Sequence, residues 1–111
     1  MASQRSEGIV LPFKDSTQAV LALESFDFSQ VDLCFFCVSA ELANKFVPKA
    51  VVAGAVVIDN SSSFRYQADV PLVVPEVNPW TLTIIKPVII ANPNCSTIQM
   101  VAALKPIRTD M

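Results

Sequence analysis

Residues 31–60 read VDLCFFCVSAELANKFVPKAVVAGAVVIDN, and the pattern of this stretch decides the fold. Residues 31–38 form an apolar run bounded by Asp32 and Ser39, which predicts a strand covered on both faces, the mark of a parallel sheet. Residues 40–53 are rich in helix formers, with Pro48 starting a second helical turn or kinking the first. Gly54 suits a helix stop. Residues 55–59, AVVID, then supply a second buried strand. Strand, helix and strand at this spacing argue for a right-handed parallel crossover, so the expected class is α/β.

Working outward, residues 59–68, DNSSSFRYQA, are polar and loop-like at the carboxyl end of the second strand. Open α/β sheets bind ligands at such ends. Prolines 71, 75 and 79 forbid a regular helix interior over VPLVVPEVNPW and suggest short extended pieces. Residues 87–91, PVIIA, predict a third strand, and Asn92-Pro93-Asn94 turns the chain. Residues 95–104 read as a helix capped by Asn94 or Ser96, with Pro106 beyond its end. On the other side, residues 9–13 suggest a strand, and residues 18–24 fit either a strand or a short helix. There is no internal repeat and no low-complexity segment.

The 111 residues bound the chain to one domain or part of one. Its composition, 52% hydrophobic and 16% charged, is unusually apolar for that length, which suggests surface that meets more protein. No apolar run approaches the ~20 residues of a membrane span, and residues 1–5, MASQR, lack the apolar core of a secretory signal. A net charge of −2 gives no reason to expect a nucleic acid or an acidic membrane as partner. Cys34 and Cys37 have the CxxC spacing of zinc or redox sites. With no histidine and no second cysteine pair, both thiols read as core filler in a reducing, cytoplasmic setting.

Cys95 poses a different question. It sits between a tight polar turn, ANPN, and the first turn of a helix, STIQM. The thiolate is the nucleophile in thiol chemistry, and the unpaired N–H groups of a helix start favour it. Those groups also stabilise an oxyanion formed when sulfur attacks a carbonyl. On local context alone Cys95 is either such a nucleophile or a small residue packing a helix start. Arg65, in the other strand-end loop, is either a fixed cation for a phosphate or carboxylate substrate or a solvated surface arginine. Ser61, Ser62 and Ser63 read as ordinary turn residues.

The strings VVIDNSSSFRYQADVPLVVPEVNP and IIANPNCSTIQMVAALKPI closely resemble the aspartate-β-semialdehyde dehydrogenase family, with similarity over residues 2–107. The resemblance implies a Rossmann-like, mostly parallel sheet with flanking helices, residues 1–111 being part of an NADP-binding domain. It implies reversible, NADP-dependent, phosphate-requiring oxidation of L-aspartate-4-semialdehyde to L-4-aspartyl phosphate, on the route to lysine, methionine and threonine. Cys95 would form the acyl-thioester, Arg65 would hold phosphate, and Asn94 would lie beside the acyl and phosphate groups. The element ASQRS would place Ser3, Arg5 and Ser6 at the adenosine 2′-phosphate, and Asn60 would approach the cofactor. Full-length members of the family are homo-oligomeric.

The sequence also departs from the family. The family's first strand with its Gly-rich turn, and its later histidine-bearing domain, have no counterpart in a chain with two glycines and no histidine. After the strand at 31–38 the family often carries paired glycines, where this chain has Cys37-Val38-Ser39-Ala40-Glu41. Side chains there crowd a backbone that approaches the cofactor, and Glu41 adds negative charge near its phosphates. The expectation is a fragment of the dehydrogenase, inactive as these residues alone and poorly equipped to bind NADP. The alternatives are a non-catalytic relative acting as a structural or interaction protein, and a redox or zinc module on Cys34 and Cys37.

Overall fold

We describe residues 4–84 and 88–109 in a computed structural model of the chain. A short 3-10 turn, Gln4–Ser6, leads into a hairpin of β1, Val10–Phe13, and β2, Ser16–Ala19, paired antiparallel with Phe13 opposite Ser16. Lys14 makes the reversal in the left-handed region, at φ 53°. Residues 18–24 are thus divided, the strand ending at Ala19 and a 3-10 turn forming at Leu23–Ser25. A further 3-10 turn at Phe28–Gln30 is capped by Asp27, whose carboxylate accepts from Ser29 N at 3.0 Å and Ser29 Oγ at 2.8 Å.

The opening stretch folds as a strand, a helix and a parallel strand. β3 spans Leu33–Phe36, α1 spans Ala40–Val52, and β4 spans Val56–Asp59, with Leu33 opposite Val56 and Phe36 opposite Asp59. Ser39 caps α1, its side chain accepting from Leu42 N at 3.4 Å. Ala43, Phe46, Val47 and Ala50 recur at helical spacing and are all buried against the sheet. Fully burying side chains such as Phe46, Val47 and Val57 stabilises the fold by roughly 1.5–3 kcal/mol each. The helix runs on through Pro48 and ends before Gly54, whose φ of 97° reverses the chain into β4.

Two expectations for this region are corrected. β3 is not covered on both faces, since Cys34 and Phe36 are buried whereas Leu33 and Phe35 are exposed. The reason is its place at one side of the sheet, whose order is β3-β4-β5, with α1 covering one face. Nor are both CxxC thiols core filler. Cys34 is only 3% exposed, but Cys37 lies past the strand end and is exposed.

β5, Ile89–Ala91, completes the parallel sheet with Ile58 opposite Ile90 and Asp59 opposite Ala91. Its expected start at Pro87 lies outside the described residues. On its far side the proline-rich segment runs parallel to it: Ala91 N donates to Pro71 O at 2.9 Å and Val73 N to Ala91 O at 3.1 Å. A short helix α2, Thr81–Ile84, follows this segment. Finally, α3 spans Cys95–Thr109, so it does not stop before Pro106 but contains it. Among the described residues no helix is long and apolar enough to cross a membrane.

Candidate active site at the carboxyl ends of the strands

Parallel strands deliver three loops to one crest. Phe36, Asp59 and Ala91 stand in register across the sheet, so the residues that follow them emerge side by side. Asn60 N donates to Phe36 O at 2.9 Å, and Asn92 N donates to Asp59 O at 2.8 Å, which carries the ladder one residue beyond the strands.

The loop after β4 is tightly wound. Asp59 is fully buried, and its carboxylate accepts from Ser61 Oγ at 2.6 Å and Ser61 N at 3.2 Å. Ser63 N donates to Ser61 Oγ at 3.1 Å, while Ser63 Oγ donates to Ala40 O at 2.9 Å, tying the loop to the start of α1. Phe64 is buried in the core, and the next residue, Arg65, is swung back over the crest. Arg65 Nε donates to Asn92 O at 2.9 Å and Nη2 donates to Asn60 O at 3.1 Å. Asn92 Nδ2 donates to Asn60 Oδ1 at 2.7 Å, so the loops after β4 and β5 are clasped by side chains as well.

The loop after β5 ends at the nucleophile candidate. Pro93 is buried, whereas Asn94 and Cys95 are exposed. Asn94 is the cap of α3: its Oδ1 accepts from Ser96 N at 2.9 Å and its carbonyl from Ile98 N at 3.0 Å. Cys95 Sγ lies 4.0 Å from Asn94 Oδ1, at the outer limit of sulfur hydrogen bonding. A helix start leaves its first N–H groups without intrahelical partners, and Asn94 takes only the one at Ser96. An exposed thiol beside such groups is placed to attack a carbonyl and to have the resulting oxyanion stabilised. Burial pushes the Cys34 thiol above its ordinary value.

The crest therefore joins Asn60 and Arg65 directly, and it holds Asn94 and Cys95 on the same short loop. Arg5 and Ser6 lie in the turn Gln4–Ser6 before the hairpin, and no hydrogen bond among the described residues ties them to the crest. Ser3 lies outside the described residues. Sequence reasoning missed Asn92 and Asp59. The first was read as a turn former and the second as a strand end, and only the pairing register puts both beneath the clasp.

A dinucleotide fits such a crest through hydrogen bonds and an open helix start. Exposed Asn60 and the first turn of α1 supply donors of that kind. The two glycines, Gly8 and Gly54, lie before β1 and at the amino end of β4, so neither forms a pyrophosphate turn. The donor set fits the sugar and amide groups of such a cofactor. A separate cavity of about 620 Å³ lies between Val77, Trp80 and the face of α3 carrying Val101 and Leu104. It is largely apolar, and the chemistry-bearing side chains are at the crest, which we take as the site.

Sheet, crossover helix and crest together define an α/β domain of the dinucleotide-binding type. The sequence model for "Semialdehyde dehydrogenase, NAD binding domain" matches residues 1–85. The chain belongs to that family. It is 55% identical over 108 residues to aspartate-semialdehyde dehydrogenase 2 of Vibrio cholerae, covering 96% of this chain and 32% of the relative. Among solved structures, aspartate semialdehyde dehydrogenase II from Vibrio cholerae, complexed with ASA, superposes with a TM-score of 0.92 at 54% identity, over 96% of this chain and 35% of that one. The Candida albicans enzyme with NADP superposes with a TM-score of 0.83 at 30% identity, over 97% and 38% of the two chains. The chain thus spans about a third of the length of the relatives it matches.

Proposed function

We propose that this chain is part of an NADP-dependent aspartate-semialdehyde dehydrogenase and contributes the cysteine nucleophile and the phosphate-holding arginine. The observation that carries the reading is an exposed Cys95 opening α3, on the same loop whose Asn92 carbonyl accepts from a clasped, cationic Arg65. Relatives and structural neighbours bearing the same enzyme name support it.

In this reading the Cys95 thiolate adds to the aldehyde carbon of L-aspartate-4-semialdehyde, and the resulting thiohemiacetal oxygen faces the amino end of α3. NADP, if bound at the crest beside Asn60, would supply a hydride acceptor for this adduct, whose oxidised form is a thioester on Cys95 Sγ. Inorganic phosphate then attacks the thioester carbonyl, the C–S bond breaks, and L-4-aspartyl phosphate leaves with Cys95 restored as thiolate. Arg65 holds the phosphate. A guanidinium has five N–H donors, and two of Arg65's are spent on neutral backbone carbonyls, which leaves its charge for an anion. Asn94 keeps the nucleophile loop on the helix start and lies beside the acyl group. Asn60 meets the cofactor at the crest, with Ser3, Arg5 and Ser6 at its adenosine 2′-phosphate. The setting is cytoplasmic, the reaction serves lysine, methionine and threonine synthesis, and the intact protein is a homo-oligomer.

The test is NADPH formation from L-aspartate-4-semialdehyde and phosphate by the intact protein. Cys95→Ser is expected to lower kcat by at least ~10³-fold, the range typical of losing a nucleophile. Residues 1–111 alone are expected to give none, because they hold no histidine to act as general base. Undiminished turnover in the Cys95→Ser protein sinks the reading. One feature favours a second reading, a non-catalytic relative: residues 37–41 hold no glycine, where the family resemblance implies paired glycines beside the cofactor. Intact protein without turnover but with stoichiometric folding would select it.

A further inference from the structure

We infer that Asn92 is a positioning residue that sets how two other crest residues present themselves to ligands. Its backbone carbonyl accepts from Arg65 Nε at 2.9 Å, and its side-chain Nδ2 donates to Asn60 Oδ1 at 2.7 Å. Arg65 Nη2 completes the ring by donating to Asn60 O at 3.1 Å. The backbone N–H of Asn92 is itself fixed on Asp59 O at 2.8 Å, beneath the clasp.

Two consequences follow from the hydrogen-bond capacities of these groups. First, Asn60 Oδ1 already accepts one bond, while its amide N–H groups make none among the described residues, so the amide turns its donors toward a ligand. Asn92 therefore makes Asn60 a donor, suited to a carbonyl or hydroxyl oxygen on the bound molecule. Secondly, the guanidinium plane is held by two neutral carbonyls, one from each loop, with no carboxylate bonded to it among the described residues. That suits an oxyanion such as phosphate, which a planar fork binds in a defined orientation. Asn92 is also three residues before Cys95, so the same residue sets the spacing between anion and nucleophile. Asn92 touches neither reacting atom and acts through Asn60 and Arg65.

The inference rests on the reading above for the identity of the ligands, but not for the clasp. In the intact protein, Asn92→Asp keeps the size of the side chain and replaces its donor by a carboxylate. That both turns the Asn60 amide and places a negative charge near Arg65. KM for phosphate is expected to rise by about tenfold or more, the scale of a hydrogen bond to a charged group, and more than kcat falls. Asn92→Ala, which removes the donor to Asn60 without adding charge, is expected to give a smaller rise. Equal KM values across the Asn92 variants, or a loss confined to kcat or to melting temperature, overturn the inference. If the wild-type protein oxidises no semialdehyde, the proposed function fails. Calorimetry with inorganic phosphate then decides the clasp: binding weakened about tenfold by Asn92→Asp supports it, and absent or unaltered binding overturns it.

Discussion

Three cysteines in one small chain meet three different fates, and the sheet explains each. Cys34 points into the core from β3, Cys37 emerges just past that strand, and Cys95 stands exposed at the start of α3. At neutral pH a thiol reagent is expected to modify Cys37 and Cys95, and to reach Cys34 only on unfolding, as peptide mapping of labelled sites will show. Burial raises the Cys34 pKa above its ordinary 9.0. Stability is therefore complete below about pH 9 and falls as the pH climbs toward the raised folded value, because only the unfolded thiol then ionises. Cys34→Ala is expected to flatten that alkaline slope in urea titrations. The sequence showed Cys95 as a candidate because a polar turn before a helix is a local signal. It could not show Cys37's exposure, which depends on where β3 ends, or the role of Asn92, whose partners lie 27 and 32 residues away.

At the scale of elements, local chemistry decided most boundaries. Gly54 after the helical run was legible as its stop, whereas Ser39, read only as the end of the apolar run, proves to be the cap of α1. Gly54 has φ 97° with nothing within 4 Å of an added Cβ, so Gly54→Ala meets backbone strain alone. We expect it to cost about 1–2 kcal/mol. Losing the cap in Ser39→Ala is expected to cost about 1 kcal/mol. Both are read from urea midpoints at constant m-value. The prolines were harder to read. Pro48 was read as a helical turn start or kink and lies within α1, but Pro106 was placed beyond a helix end and lies within α3, where tertiary packing overrides an intrinsic preference. For β3, the apolar run recorded which residues dislike water but not how many neighbours the strand has. Its alternation of buried and exposed positions comes from its place in the sheet.

Taken whole, the molecule is extended, 54 × 30 × 25 Å, with a radius of gyration of 16.4 Å, against about 13 Å for a compact domain of this length. The protruding hairpin is exposed on every residue of β1 and β2. On the sheet, Leu33 and Phe35 are 48% and 67% exposed at one edge. The apolar surplus in the composition thus appears as real surface. With a net charge of only −2 to oppose association, this edge is expected to favour strand pairing between copies. The isolated residues 1–111 are expected to self-associate in a concentration-dependent way. Phe35→Lys is expected to shift sedimentation toward the monomer, whereas unchanged sedimentation would locate the contact elsewhere.

The strand that carries the nucleophile turn also makes the longest-range pairing of the parallel sheet, Val57 opposite Ile89, against Leu33 opposite Val56 in the crossover unit. β5 lies between β4 and the segment around Pro71–Val73, and both pairings must close over intervening chain. β3, α1 and β4, by contrast, are consecutive and bury much of the core among themselves. Contacts between distant residues form later than local ones, because the loop must be closed before they stabilise anything. The order of assembly then runs from scaffold to chemistry. The crossover unit is expected to condense first and β5 to pair with it later, so that the reactive sulfur reaches its working position late in folding.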